Sequence, residues 1–419
     1  MLEYDLAIIG AGWAGFNAAL KAKELGLKVC LIEKEQIGGT CLNSGCIPTK
    51  ALIQSAKTYN TITKSANFGI ETQSVNLNFK KIQERKDKIV QQLRSGMQFM
   101  LKGIDFINEE AEVLPNQEIK IQGKIIRAKS VLIACGSRPA ELPNFKFDHK
   151  KIISSDDLLN IKEIPSTLLI IGGGIVGCEF ASLFASLGTR VAIIEKMPQL
   201  LPGMDAEIAK KIENIFKKKG IMVITSGDAL AANFNDYDLV LLCVGRKPNT
   251  LGVDLSVDDY LRTKQPNIFA AGDCTAKIML AHYAAYQGEI AAHNIANLGK
   301  LKKADNRNIP NCIFTDPEIA SIGPSEEELK SQGFDVKTYK FDFMASGMAR
   351  IMEETEGFIK IISNNKTDEV LSASIIGPKA TELIAILTVA VSNRLKIAQI
   401  RDTILAHPTL SEAISGALK

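Results

Sequence analysis

An α/β fold with two Rossmann-like dinucleotide-binding units, followed by an α+β C-terminal domain, is what this 419-residue sequence predicts. Three observations predict it. The stretch DLAIIGAGWAGFNAALKAKELGLKVCLIEK reads as an apolar strand, a glycine turn, an amphipathic helix and a second apolar strand. STLLIIGGGIVGCEFASLFASLGTRVAIIEK repeats that order. From about Ile309 onward, strand-like and helix-like stretches follow with no nucleotide fingerprint. The chain is too long for one core, so several domains are expected. Residues 1–148 form the first part of the first unit, 149–249 the second unit, 250–308 the return to the first, and 309–419 the C-terminal domain.

Each fingerprint residue has a physical reason. Gly10 allows the tight turn, Gly12 lets the backbone approach a pyrophosphate, and Gly15 lets the helix sit close to the sheet. The pyrophosphate then faces free N–H groups at the helix start, where the dipole favours negative charge. Glu33, 18 residues after Gly15, is placed to accept hydrogen bonds from ribose hydroxyls. In the second unit Gly172, Gly174, Gly177 and Glu195 take the same places. A carboxylate at Glu195 accepts from a free 2′-hydroxyl and repels a 2′-phosphate, which favours NAD over NADP. Arg190, just before that strand, is outweighed by the acid at the strand end.

Downstream of the first unit, GGTCLNSGCIPTK places Cys41 and Cys46 five residues apart. That puts a thiol pair beside the ring of a bound dinucleotide, an arrangement for moving electrons between a dinucleotide and a disulfide. Gly38 and Gly39 permit close backbone approach, and Thr40 is positioned to cap a helix beginning near the first cysteine. A thiolate at a helix N-terminus is stabilised by the dipole, which favours reactivity. Cys30, Cys135, Cys178, Cys243, Cys274 and Cys312 sit singly in apolar strands or small-residue turns, where a reduced thiol behaves as a small hydrophobe. Zinc is the competing reading of the close pair. There is no second CxxC, and none of His149, His282, His293 and His407 stands at ligand spacing from it, so no metal is expected.

Between these landmarks, FKKIQERKDKIVQQLRSGMQFMLKG has apolar residues at helical spacing, with its lysines and glutamines read as a solvated face. Near the C-terminus, in ILAHPTLSEAISGAL, Pro408 suits the first position of a helix, leaving His407 extended at the cap. Glu412, about one turn in, can then hold one ring nitrogen, leaving the other to accept a thiol proton. A net charge of +3 with 23% charged residues points to neither nucleic acid nor membrane. Glu3 and Asp5 stand where a secretory signal needs basic residues, and no run of 18 apolar residues occurs. A soluble, cytoplasmic protein is expected.

On these residues the chain resembles the FAD-dependent pyridine nucleotide-disulfide oxidoreductases, and most of all their dihydrolipoyl-oxidising branch. The likeness covers Leu6 to Ala51, VLIACGSRP, the second fingerprint, LVLLCVGRKPN, NIFAAGDCTAKIMLAH and most of Ile309 to Ala417. CLNSGCIPTKAL and AHPTLSEA discriminate best. The resemblance implies FAD on the first unit and NAD on the second. It makes Cys46 the charge-transfer sulfur beside the flavin and Cys41 the sulfur that exchanges with substrate. Lys50, alone a surface lysine, becomes the partner of Glu179 near the flavin. Thr40, Ala111, Gly136, Ser137, Asp273, Leu280 and Ala281 are carried over as flavin-side contacts and Gly245 as a further cofactor contact, with His282 also against the ring. Cys135 stands where relatives have threonine.

The resemblance further implies a homodimer built on the C-terminal domain, starting near Thr315, Pro317 and Glu318, in which His407 serves the disulfide of the other subunit. The implied reaction oxidises protein-bound dihydrolipoyl groups and passes electrons through Cys41–Cys46 and FAD to NAD. The lipoyl group must come from another protein, a lipoyl-bearing acyltransferase or a glycine-cleavage carrier. One departure stands out: Ile221 to Asp238 spends under twenty residues where relatives spend several tens on a meander. A trimmed edge of the NAD unit is expected there, away from the glycines. Two other readings fit the same core: reduction of a low-molecular-weight disulfide, and a flavin-binding structural subunit of a multienzyme assembly.

Overall fold

The computed structural model describes residues 2–114 and 118–419. Its first sheet places the strands Asp105–Ile107, Val29–Ile32, Leu2–Ile9 and Lys124–Ile133 side by side, all parallel. Ile268–Ala270 returns to pair in parallel with the C-terminal half of Lys124–Ile133, and Ile119–Ile121 pairs antiparallel with its other half. Strand order reverses at Leu2–Ile9, so the crevice at its carboxyl end, where Gly10 follows, is the ligand position of an open α/β sheet. The second sheet is parallel throughout, in the order Met222–Ile224, Arg190–Ile194, Thr167–Ile171, Leu239–Leu242, Ile152–Ile153. Gly172 follows its central strand. Central strands such as VCLI and LVLL are apolar throughout because helices and loops cover both faces.

In both units the third glycine of the fingerprint permits the helix to meet the turn. A Cβ on Gly15 would lie 1.8 Å from the Gly10 carbonyl oxygen, and one on Gly177 would lie 2.0 Å from that of Gly172. Any side chain there would push helix Trp13–Glu24 or Ile175–Ser186 off its sheet. A two-stranded antiparallel ribbon, Ser137–Pro139 with Arg246–Pro248, carries the chain between the two units.

The C-terminal sheet is antiparallel, in the order Asn311–Ile313, Glu318–Ile322, Val370–Gly377, Phe358–Asn364, Val336–Asp342. Helix Ala380–Ser392 covers it with Leu383, Ile384, Leu387, Ala390 and Val391, a helical spacing that makes one apolar face. This is the α+β domain that the sequence predicts.

One local expectation changes and another takes definite form. Helix Phe79–Met100 forms, capped by the Asn78 side chain on the Lys81 N–H at 3.1 Å, but its lysines are not all solvated. Lys86 is 3% exposed and donates to the Leu159 carbonyl at 2.9 Å, while Gln83 donates to Ile161 O at 3.0 Å. That face docks on the start of the second unit, and the long lysine stem fills the contact while its head finds a carbonyl. The short stretch after Met222–Ile224 folds as two 3₁₀ turns, Ala229–Ala231 and Phe234–Asp236, in place of hairpins. Ala229, Ala232, Phe234 and Tyr237 pack on the face made by Leu169, Ile171, Ile194 and Val240, with the Phe234 and Phe145 rings 5.0 Å apart. The trimmed segment is a compact plug that keeps the sheet covered. Among the described residues, no helix is long and apolar enough to cross a membrane.

Candidate active site

The cysteine run folds as two helices broken at Gly45. Gly39–Ser44 carries Cys41, and Cys46 is the first residue of the 18-residue helix Cys46–Thr63. Gly38, in the left-handed region at φ 99°, is the N-cap of the short helix, so Thr40 lies inside that helix and does not cap it. Pro48 is tolerated because the first N–H groups of a helix have no intrahelical partner. Cys46 therefore takes the dipole-stabilised position that the sequence assigns to the first cysteine. It is exposed, and Cys41 is half-buried.

Interaction with the Cys41 thiol, with the positive charge of Lys50 adding to it against burial and Glu179, lowers Cys46 to about 7. The same interaction and burial push Cys41 well above the usual thiol range. Lys50 Nζ lies 2.8 Å from both carboxylate oxygens of Glu179, and Glu179 Oε1 also accepts the Phe314 N–H at 2.9 Å. The ammonium sits over the Phe314 ring, 4.8 Å from its centroid. A pair 129 residues apart in sequence thus bridges the cysteine helix and the helix of the second fingerprint. Lys50→Met is expected to move the thiolate titration of Cys46 upward from about 7, because its nearest cation is gone while Glu179 remains. The rate of iodoacetamide labelling of Cys46 against pH, read by mass spectrometry on reduced protein, checks this; an unmoved midpoint would refute it.

The nucleotide positions test well against a bound diphosphate. Helices Trp13–Glu24 and Ile175–Ser186 both begin at a glycine N-cap, with no side-chain cap and no acid in the first turn. A helix start of that kind leaves its first N–H groups to an anion. Each of the two acids after the second strands braces its own glycine loop. Glu33 Oε2 accepts the Ala11 N–H at 2.7 Å and Glu195 Oε2 the Gly173 N–H at 2.6 Å. A carboxylate has further lone pairs for ribose hydroxyls, so this bracing and the expected role are compatible. Gly39 and Gly12 meet backbone to backbone: a Cβ on Gly39 would stand 2.7 Å from Gly12 Cα.

A second group assembles from distant segments. Ser137 Oγ donates to Asp273 Oδ2 at 2.6 Å, Arg246 Nε donates to Ser137 Oγ at 2.7 Å, and Arg246 Nη2 reaches Thr40 Oγ1 at 3.3 Å. Thr40, Ser137 and Asp273, named singly from the sequence, are therefore one network. Gly136 and Gly245, with φ of 67° and 113°, bracket the ribbon that delivers Ser137 and Arg246. Ala111 is buried beside Ile9 and Ile32, and Leu280 is the N-cap of helix Ala281–Ala296. Arg246 is the residue that sequence reasoning missed as a site component. Its signal was the GRKPN turn, but its partners lie 109 and 206 residues away.

The histidine pair forms with a different local geometry. His407 Nδ1 lies 2.9 Å from Glu412 Oε1, and Glu412 Oε2 accepts the Thr409 N–H at 2.9 Å. Pro408 does not start the helix: it follows a cis peptide bond, and the helix Glu412–Ala417 begins four residues later. Glu412 is its first residue, and the intervening turn brings it back to the ring. The Thr409 N–H and then His407 hold the Glu412 carboxyl below its usual range. His407 is 82% exposed in its side chain, and among the described residues its hydrogen bond is to Glu412, with none to either thiol.

Comparison with known proteins agrees with this construction. The family model described as pyridine nucleotide-disulphide oxidoreductase matches residues 4–288, and that of the family's dimerisation domain matches 309–418. The chain is 37% identical to a dihydrolipoyl dehydrogenase of Bacillus subtilis, covering 99% of this chain and 97% of that protein. It is 39% identical to the dihydrolipoyl dehydrogenase of Chlamydia trachomatis, over 98% of this chain and 95% of that one. Among solved structures, LpdA of Mycobacterium tuberculosis superposes with a TM-score of 0.91 at 26% identity, covering 100% of this chain and 99% of that one. The HOCl-induced flavoprotein disulfide reductase RclA of Escherichia coli, as its Cu(II) complex, superposes at 0.88 with 28% identity, with the same coverage. Two fingerprints, a thiol pair at the end of the first and a matched dimerisation domain run through the whole length, and the chain belongs to the pyridine nucleotide-disulphide oxidoreductases.

Proposed function

We propose that this enzyme, with FAD and NAD as cofactors, oxidises protein-bound dihydrolipoyl groups to the disulfide through Cys41 and Cys46, as a cytoplasmic homodimer. The observation that carries the reading is the Cys41–Cys46 thiol pair, with Cys46 at a helix N-terminus and lowered to about 7 beside the Lys50–Glu179 pair. Full-length likeness to dihydrolipoyl dehydrogenases supports the choice of substrate. FAD is assigned to the first fingerprint with Thr40, Ser137, Asp273, Leu280 and Ala281, and NAD to Gly172, Gly174, Gly177 and Glu195. Bound there, these cofactors supply the two-electron acceptor chemistry that side chains lack.

The protein's own groups handle protons and sulfur exchange. Starting from a Cys41–Cys46 disulfide, Nε2 of the His407 ring, left free by Glu412, takes a proton from the substrate dithiol. The substrate thiolate attacks Cys41, the S–S bond breaks, and Cys46 leaves as a thiolate held by Lys50 and the helix N-terminus. The second substrate sulfur then displaces Cys41, closing the lipoyl disulfide and leaving both cysteines reduced. His407 is assigned to the partner subunit's disulfide. Its exposure, and the outward apolar side chains of Ile404, Ile386 and Val389, support that assignment.

Purified protein is expected to reduce NAD with dihydrolipoamide rapidly, NADP poorly, and to lose about 10²- to 10⁴-fold in rate as His407→Ala, the range for a removed general base. A flavin-loaded protein whose cysteine pair can be reduced but which gives no NAD turnover with dihydrolipoamide overturns the substrate. The likeness to RclA then favours the second reading, reduction of another, low-molecular-weight disulfide.

A further inference from the structure

Cys135 and Cys274 are 139 positions apart and read from the sequence as isolated small hydrophobes. The fold brings them together. Ala270 pairs with Ile133 in parallel register, and the Ala271 N–H donates to Ile133 O at 3.1 Å. The two strands, spaced about 4.8 Å as neighbours in a sheet are, therefore end side by side. Cys135 lies two residues past one end and Cys274 four residues past the other. Cys274 is 2% exposed, its Sγ lying 3.4 Å from Ile133 O and 3.3 Å from Ala271 O. Cys135 is half-buried, its Sγ 3.0 Å from Asn249 O. Interaction with the neighbouring thiol raises Cys274 well above the usual thiol range and lowers Cys135 below it. As at Cys41 and Cys46, the more exposed sulfur of the two is the one biased toward thiolate.

We propose that Cys135 and Cys274 are a second redox pair, a reversible disulfide formed by peroxides, tying the end of strand Lys124–Ile133 to the turn that carries Asp273. The Cys135 thiolate attacks one peroxide oxygen, the O–O bond breaks, and hydroxide leaves, making a sulfenic acid. The Cys274 sulfur then displaces that oxygen, forming the S–S bond and releasing water. Two thiols and one hydrogen peroxide give one disulfide and two waters, both electrons passing to the peroxide. The bridge stands next to the Ser137–Asp273 hydrogen bond, two residues from one partner and one from the other, so it modifies the wall of the proposed flavin site and not the thiol pair that exchanges with substrate. Buried Cys274 is the resolving sulfur that protects Cys135 from further, irreversible oxidation.

The test is disulfide mapping of reduced holoenzyme exposed to hydrogen peroxide, with free thiols blocked by iodoacetamide and the digest analysed without reduction. The expected result is a cross-linked peptide joining Cys135 to Cys274, lost on treatment with a thiol reductant and formed equally in Cys41→Ser. Cys274→Ser is expected to abolish the link and let Cys135 proceed to sulfinic acid. The proposal is overturned if both residues are recovered alkylated under peroxide that fully oxidises Cys41 and Cys46. Recovery of wild-type Cys135 as sulfinic acid with Cys274 still a free thiol overturns it equally. The wild-type map decides the matter even where a variant folds poorly.

Discussion

Heterodimers of one Cys41→Ser subunit and one His407→Ala subunit are expected to recover about half of wild-type turnover, although each parent homodimer is nearly inactive. Cys41→Ser removes the sulfur that the substrate attacks and is expected to cost on the order of 10³-fold or more. His407→Ala removes the base. If His407 serves the partner's disulfide, the mixed dimer has one site carrying both lesions and one carrying neither. If it serves its own subunit's disulfide, both sites are damaged and mixing restores nothing. The two subunits, tagged differently and purified as the mixed species, would be assayed for NAD reduction by dihydrolipoamide. A mixed dimer no faster than its parents removes the shared-site reading. The expectation rests on the exposure of His407 and on its hydrogen bond to Glu412 in place of either thiol.

Lys360→Met is expected to destabilise the protein by about 3–5 kcal/mol, the range for leaving a buried ion pair without one partner. Lys360 is 2% exposed on strand Phe358–Asn364, and its Nζ lies 2.9 Å from Asp205 Oδ2, 2.9 Å from Glu207 Oε1 and 2.8 Å from Glu326 Oε2. Asp205 also caps helix Ala206–Lys218 of the second unit. The cluster therefore fastens that unit to the C-terminal sheet. Burial opposes the charge on Lys360, but its bonds to Glu326, Glu207 and Asp205 outweigh burial and hold the ammonium above its usual range. Methionine would keep the packing but leave buried Asp205 without its cation, while Glu207 and Glu326 keep Lys340 and Lys330. Urea unfolding at neutral pH should show the loss as a lower midpoint, and an unchanged midpoint would contradict it.

The pH dependence of the same cluster has a definite sign. Bonds to Lys330 and then Lys360 lower the Glu326 carboxyl from 4.5 to about 2. A carboxyl depressed in the folded state contributes stability that is complete above its unfolded value and is lost as pH falls toward the folded one. Wild-type stability should decline between about pH 4.5 and 2, with a shallower decline from this group in Lys360→Met.

Much of the architecture was legible because it is written in short-range terms. An apolar run of four or five residues, a glycine turn and a helix of regular spacing define each nucleotide unit within about thirty residues, and the acids Glu33 and Glu195 close them. Cys41 and Cys46 were legible for the same reason, lying six positions from end to end. Local details failed where packing overrode propensity. Thr40 sits inside its helix because Gly38 takes the cap, and Pro408 lies in the turn before a helix that starts at Glu412. Lys86 is buried because a second unit docks on its face.

The sequence by itself determined two nucleotide folds, a thiol pair, an α+β C-terminal domain and the residues from which the chemistry is made. Only the tertiary structure decided which of those residues meet. Strand register sets Cys135 beside Cys274, and the ribbon of Ser137–Pro139 with Arg246–Pro248 joins Thr40 to Asp273 through Arg246. Helix packing between units closes Lys50 on Glu179. The reason is physical: periodicity and turn chemistry act over a few residues, whereas contacts across more than a hundred depend on how separately formed elements stack, and a single sequence carries no local signal for that.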